Sequence, residues 1–346
     1  MKSNPPLPAK KIACHGLLAT AGFIDLQVNG CGGVLLNDQI TVATLNTMQS
    51  TNLQSGTTQC LPTFIISSFD DLQQVINLYD SLTDEKKQVF IGLHLEGPFI
   101  NQVKKGAHPA QHIRQLDNKT AHFLASHANI IKVITLAPEC VAQSEIDCLT
   151  NAGIIVSLGH SNATYQQLQN KKGTTMATHL YNAMSPFTSR EPGAVGYVLD
   201  QSLYAGIVVD GIHCAHANVR IAATLLKEKL FLVTDAVAPA GTNMTEFTVA
   251  DTTIFVTEGK CHFQNGTIAG SILTMIQGVK NLINDVGLTR EQALNMASYY
   301  PAQAINISDH YGRLKVGYKA NINLLDAHNN IHRVYQMGKE SIISAE

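Results

Sequence analysis

Val89-Phe90-Ile91-Gly92-Leu93-His94-Leu95-Glu96 is a short, largely apolar run that stops on a carboxylate and is followed at once by Gly97-Pro98. Its length suits a strand better than a helix, and the Gly-Pro pair ends it. A strand that is apolar on successive residues is covered on both faces, the setting of a parallel sheet. Seven more runs of this kind follow one another along the chain: Phe23 to Asn29, Gly56 to Ile65, Ile131 to Pro138, Gly153 to His160, Thr175 to Asn182, Tyr204 to His213 and Leu230 to Asp235. The segments between them are long enough for crossover helices. Eight such units in series predict an α/β fold, a (β/α)₈ barrel of TIM type. An open doubly wound sheet is the competing arrangement. Reactive residues close six of the runs, however, and only a closed ring gathers so many strand ends around one mouth.

The barrel is expected over residues 21–311. Residues 1–20 and 312–346 are expected to form a small β-sandwich appendage from the two chain termini. β-prone pieces after the eighth run, Glu246 to Val256 and Lys260 to Phe263, and a last strand near Ala320 to Leu325 are assigned to the same appendage. Helices are expected from Ser271 and Thr289.

Of the 346 residues 45% are hydrophobic, enough for a substantial core, and the formal charge is only −2. No global field draws such a chain to nucleic acid or to an anionic membrane. No stretch reaches the roughly 18 apolar residues of a membrane span, and the first 22 residues hold no apolar signal segment. The seven cysteines are scattered and never spaced C-x-x-C, which argues against a disulfide framework and against a thiolate zinc knot. A cytoplasmic enzyme acting on a small molecule is the expectation. The pairs Lys104-Lys105 and Lys171-Lys172 read as solvated loop lysines.

Three runs end on metal-binding side chains: Glu96, His160 and His179. One histidine alone is usually a surface or hydrogen-bonded core residue. Three such groups at the ends of the third, fifth and sixth strands point into one volume. Two imidazoles and a carboxylate suit one divalent ion and leave a position open for water or substrate, the catalytic type of site. Zinc is expected first, with Fe²⁺, Co²⁺, Mn²⁺ and Ni²⁺ also served by this donor set. His94 should lie deeper on the same strand face, as a support. The first run carries Gln27 and Asn29, where many binuclear barrel hydrolases carry His-x-His. Their carbonyl oxygens are weak ligands for transition ions, so one ion per subunit is expected, with Gln27 near its water.

Asp235 closes the eighth run and is the expected general base and acid, although an aspartate there could instead cap the next turn. Arg190, in a polar loop, suits a phosphate or carboxylate, or else pairs on the surface with Glu191. Asp210-Gly211-Ile212-His213 closes the seventh run and offers His213 to a polar substrate.

An ordered series of segments resembles the N-acetylglucosamine-6-phosphate deacetylases of the amidohydrolase superfamily. They are Gly22-Phe23-Ile24-Asp25-Leu26-Gln27-Val28-Asn29-Gly30, His94 to Pro98, Gly159 to Tyr165, Thr178 to Met184, Arg190 to Gly193, Asp210 to His213, Leu232 to Ala236 and Ala269-Gly270-Ser271. The resemblance implies that Glu96, His160 and His179 bind the metal and that Asp235 moves the proton. It also implies that Ala107, His108, Asn182, Ala183, Arg190, Asp210, His213, Ile268, Ala269 and Gly270 surround an amino-sugar phosphate. Gln27 and Asn29 are similar to the single-metal branch. A homodimer is implied, with a neighbour helping to hold the phosphate. Family members begin with several more β-strands, so the appendage is expected to be incomplete. Two further readings stand beside this one: another amidohydrolase, such as an amino-acid deacylase or cyclic amidase, and a non-catalytic sugar-phosphate-binding protein.

Overall fold

Eight parallel strands succeed one another around a ring: β1 (Phe23–Val28), β2 (Thr57–Ile65), β3 (Leu93–Glu96), β4 (Ile131–Leu136), β5 (Ile155–Leu158), β6 (Thr174–Ala177), β7 (Tyr204–Ile207) and β8 (Leu230–Leu232). The computed structural model describes residues 11–249 and 252–341. Each strand pairs with the next in sequence, the order of a (β/α)₈ barrel. The ring is closed just beyond the last strand, where Val28 bridges Ala236 in parallel and Asp235 N donates to Gln27 O at 2.9 Å. The expected barrel is therefore the fold.

Helices cover the outside, among them Val42–Gln54, Phe69–Asp80, Gln143–Asn151 and His216–Leu226. Polar residues start several of them. Ser68 with Asp71, and Thr164 with Gln167, form reciprocal capping boxes that satisfy otherwise orphaned N–H groups. Phe23, Phe90, Phe231, Ile131 and Ile134 are fully buried between strands and helices. Truncating any one of them to alanine removes about 2–5 kcal/mol.

The ring interior is partly polar. His94 Nδ1 donates to Leu26 O at 2.9 Å, and its Nε2 accepts from Thr135 Oγ1 at 2.7 Å. Thr135, Thr178 and Ser157 continue the chain through hydroxyl contacts of 2.6 and 2.7 Å. Burial holds His94 below its ordinary pKa, so the ring is neutral and serves as the internal support expected of it.

Two four-stranded antiparallel sheets and one short two-stranded one, Gly30–Cys31 with Val34–Leu35, sit outside the ring. In the terminal sheet Leu18–Ala21 pairs with Ile322–Leu325, followed by Ile331–Gln336 and Lys339–Ser341. Residues 1–10 and 342–346 of the expected appendage lie outside the described residues. The β-prone pieces after β8 do not join this sheet, which corrects the sequence reading. Glu246–Val249, Thr252–Thr257, Lys260–His262 and Ile268–Ser271 make their own four-stranded meander. Its last strand docks on the closing seam, with Ser271 N donating to Asp235 O at 3.1 Å and Val237 N to Ser271 O at 3.0 Å. Leu35, Val237, Phe247, Ile254 and Cys261 give it a small core of its own. Local β-propensity marked the first three of these strands but not Ile268–Ser271, where a helix was expected from Ser271 and begins only at Met275; nothing local told which sheet they would join. All seven cysteines are free. Among the described residues no helix is long and apolar enough to cross a membrane.

Candidate metal centre and active site

The strand ends lead into a cavity of about 700 Å³ at the C-terminal mouth of the barrel. Glu96 is the last residue of β3, while His160 and His179 lie two residues beyond β5 and β6. Gly97 follows Glu96 at φ +81°, and a Cβ there would come within 2.5 Å of Ile66, so only glycine lets the chain turn away at that point. His160 (φ +50°), His179 (φ +34°) and Asp235 (φ +50°) are all left-handed without being glycine. Each costs on the order of 1–3 kcal/mol, strain that persists only where surrounding contacts fix the backbone.

Glu96 Oε1 lies 3.0 Å from His160 Nε2 and 3.0 Å from His179 Nε2, and the two nitrogens are 3.1 Å apart. Tetrahedral ligands at ordinary zinc distances stand about 3.3 Å from one another, so this trio has ligand spacing. His160 Nδ1 lies 2.8 Å from the Lys104 carbonyl, which can only accept, so that nitrogen carries the proton. Burial pushes the His160 pKa down to about 4, and the ring is neutral. Its Nε2 therefore turns a bare lone pair on the Glu96 carboxylate. A cation between them converts that repulsion into ligation, and the residues fit a divalent ion. Burial alone would raise the Glu96 pKa, but the imidazoles of His108 and His179 outweigh it and hold the carboxyl well below its ordinary range.

His108 stands close as well, since donor atoms of Glu96, His108 and His160 all lie within 4.8 Å of one another. Its Nε2 is more distant, 3.8 Å from Glu96 Oε1 and 3.3 Å from His160 Nε2. By distance His179 is better placed than His108 as the third donor.

Gln27 and Asn29 turn amide nitrogens toward carboxylates. Gln27 Nε2 donates to Glu96 Oε2 at 3.2 Å and to Asp235 Oδ1 at 3.1 Å, and Asn29 Nδ2 donates to Asp235 Oδ1 at 2.8 Å. Donors in those places repel a second cation. The Asp235 carboxyl is pushed up to about 6 by burial and by the negative charge of Glu96. A carboxylate tuned toward neutrality beside the ligand trio can take and return a proton.

Ala107, His108, Asn182, Ala183, His213, Ile268, Ala269 and Gly270 line the same cavity as Glu96, His160, His179 and Asp235. Two expected residues do not. Arg190 is exposed on the loop after β6, outside the lining. Asp210 also stands outside, its carboxylate committed to His213, whose Nδ1 is 2.6 Å from Asp210 Oδ2. Lys105, read from sequence as a solvated lysine, lines the cavity, as do Phe247, Ile254 and Phe263 of the inserted meander. No periodicity could have placed these residues, because long-range docking carries them there. Glu139, not singled out from the sequence, lies three residues past β4 in the short turn Pro138–Cys140.

A (β/α)₈ barrel whose mouth holds a Glu-His-His cluster and a raised aspartate defines a metal-dependent hydrolase. The chain belongs to the amidohydrolase family, whose pattern matches residues 18–344. It is 43% identical to the N-acetylglucosamine-6-phosphate deacetylase of Haemophilus influenzae over 318 residues, covering 90% of this chain and 84% of that one. It is 39% identical to the N-acetylgalactosamine-6-phosphate deacetylase of a Shewanella species, over 82% of this chain and 73% of that one. The crystal structure of the N-acetylglucosamine-6-phosphate deacetylase from Pasteurella multocida superimposes with a TM-score of 0.92 at 41% identity, covering 98% of this chain and 90% of that one.

Proposed function

We propose that this chain hydrolyses the acetamide of N-acetyl-D-glucosamine 6-phosphate to D-glucosamine 6-phosphate and acetate, a step in amino-sugar catabolism or recycling. The observation that carries the reading is the convergence of Glu96, His160 and His179 at ligand spacing, with Asp235 beside them. Glu96, His160 and His179 would hold one divalent ion per chain, zinc before iron, cobalt, manganese or nickel. Bound there, the ion supplies Lewis acidity and lowers the pKa of water toward 7.

Asp235 accepts the proton of the attacking water and returns it to the departing nitrogen, while Gln27 and Asn29 hold its carboxylate in place. His108, close to these ligands, donates toward the acetyl oxygen, and His213 faces the sugar phosphate. Asn182, Ala183 and the Ile268-Ala269-Gly270 segment border the sugar. Arg190, exposed and away from this chain's cavity, binds phosphate in a homodimer, where a neighbouring copy completes the site. The barrel unit is taken as residues 21–311, with 1–20 and 312–346 as the appendage, in a cytoplasmic enzyme.

Acetate release from N-acetyl-D-glucosamine 6-phosphate, measured beside its galactosamine epimer and the unphosphorylated sugar, tests this reading. The expected order is the gluco phosphate first and the unphosphorylated sugar last. Arg190→Ala should raise KM about 10- to 100-fold for the phosphorylated sugars alone, the range set by a lost charged hydrogen bond. Hydrolysis of acylated amino acids or cyclic amides in preference to the sugar phosphates would overturn it.

A further inference from the structure

β4 is the strand between the two that carry Glu96 and His160, yet its mouth end gives nothing to the cavity. The carboxylate that follows it, Glu139, turns sideways instead. Glu139 Oε1 accepts from Asn101 Nδ2 at 3.0 Å and from Asn162 N at 2.8 Å, and Oε2 accepts from Ser161 Oγ at 2.8 Å. Asn101 lies on the loop that leaves Glu96. Ser161 and Asn162 are the two residues after His160. One carboxylate thus ties the loop after β3 to the loop after β5.

The tie continues on both sides. Asn101 N donates to the His160 carbonyl at 2.9 Å, so the two loops are also joined through the ligand residue itself. Ser161 N donates to Ala183 O at 3.1 Å and Ser185 N donates to Ser161 O at 2.9 Å, which extends the connection to the loop that leaves His179. His160, at φ +50°, needs its neighbours fixed to hold its left-handed backbone. Two of the three groups that Glu139 accepts from belong to the residues next after it. All three bonds end on the one carboxylate group.

We infer that Glu139 is a positioning residue for the metal centre, holding the loops after β3 and β5 together so that Glu96 and His160 stay at ligand spacing. It touches neither ion nor substrate, and its effect passes through the ligands. The inference rests on the assignment of Glu96, His160 and His179 as the ligands.

Glutamine at this place can still accept from Asn101 and Asn162 with its one carbonyl oxygen, but its amide group replaces the oxygen that faces Ser161. Alanine loses all three bonds. The experiment measures zinc affinity by chelator competition on the parent, Glu139→Ala and Glu139→Gln. It adds the visible spectrum of each cobalt-substituted protein and the unfolding midpoint of each metal-free protein. The alanine variant should bind zinc about 10- to 100-fold more weakly, the range found when a group supporting a ligand is removed. The glutamine variant should lose less, the cobalt bands should shift, and the metal-free midpoints should stay near the parent's. Parental affinity and cobalt spectrum in the glutamine variant, with an alanine variant that simply unfolds, would make Glu139 a structural residue only and overturn the inference. A parent that binds no metal would overturn the ligand assignment as well.

Discussion

Asn29 Nδ2 donates to Asp235 Oδ1 over 2.8 Å, across the seam where the first and eighth strands close the barrel. Asp235 must be ionised to accept a proton, and it is pushed up to about 6 by burial first and the charge of Glu96 second. Activity should therefore fall as pH drops through the Asp235 pKa, tenfold in kcat/KM per unit. The limb should lie at or below about pH 6, because a bound cation favours the carboxylate. Asn29→Ala removes a donor to the ionised form, so the limb should move to higher pH by about one unit, the worth of a charge-assisted bond. Asp235→Asn should keep its metal and lose about 10²- to 10⁴-fold in rate. An unmoved acid limb in Asn29→Ala would show that the two residues are not coupled in the working enzyme.

Metal stoichiometry follows from the same pair of amides. With Gln27 and Asn29 presenting N–H groups to carboxylates, the proposed trio of Glu96, His160 and His179 is expected to take one ion. Chelator treatment should leave a folded but inactive chain, and activity should return fully at one equivalent per chain. Excess ion should raise stability by about 2.7 kcal/mol at a hundred times its dissociation constant. Calorimetric titration that saturates at two tightly bound ions per chain would contradict this.

The closeness of Glu96, His160 and His179 was legible in the sequence because each lies at or just past a strand end, and a barrel turns strand ends into neighbours. The roles of Gln27 and Asn29 were not, since a side-chain amide donates or accepts according to what folding places opposite it. Asp210 illustrates the same limit. Its nearness to His213 in sequence marked the pair, but only the fold shows the carboxylate spent on the imidazole. The pieces Glu246 to Val256 and Lys260 to Phe263 were visible as β-prone but wrongly placed, and the strand Ile268–Ser271 was not seen, because docking on the seam depends on contacts between residues far apart along the chain.

Asp210 should act through His213. Its Oδ2 holds the His213 Nδ1–H at 2.6 Å while Oδ1 accepts from the backbone of Ile212 and His213 at 2.9 and 2.8 Å. Burial opposes ionisation of Asp210, but the bonds from His213 and the backbone hold its carboxyl below the ordinary value. With Nδ1 occupied, the ring is fixed in one orientation with Nε2 turned away from Asp210. Asp210→Ala should cost about 10- to 100-fold in kcat/KM, the worth of a charged hydrogen bond. Asp210→Asn, which keeps an acceptor oxygen, should recover part of it. Equal activity in parent and alanine variant would show that His213 needs no such support.

Asp25 gives the fold a pH dependence separate from catalysis. It is fully buried on β1, where Oδ1 accepts from Gln27 N at 3.1 Å and Oδ2 contacts Thr234 Oγ1 at 2.5 Å, which ties the first strand to the chain after β8. Burial pushes its carboxyl from 3.8 up to about 7, against the opposing bonds from Thr234 and Gln27. Below 3.8 the folded and unfolded chains both hold the proton. Between about pH 4 and about pH 7 the unfolded chain releases a proton that the folded chain keeps, so this group's stabilising contribution declines as pH rises and is lost through about 7. The slope is on the order of 1.4 kcal/mol per pH unit across that window. Asp25→Asn is neutral at every pH and should lack this component. In urea titrations, parent stability minus variant stability should therefore fall by a few kcal/mol from about pH 4 to about pH 7. A difference that stays flat, or rises, across the window would mean that Asp25 is ionised in the folded barrel and that its bond with Thr234 is charge-assisted instead.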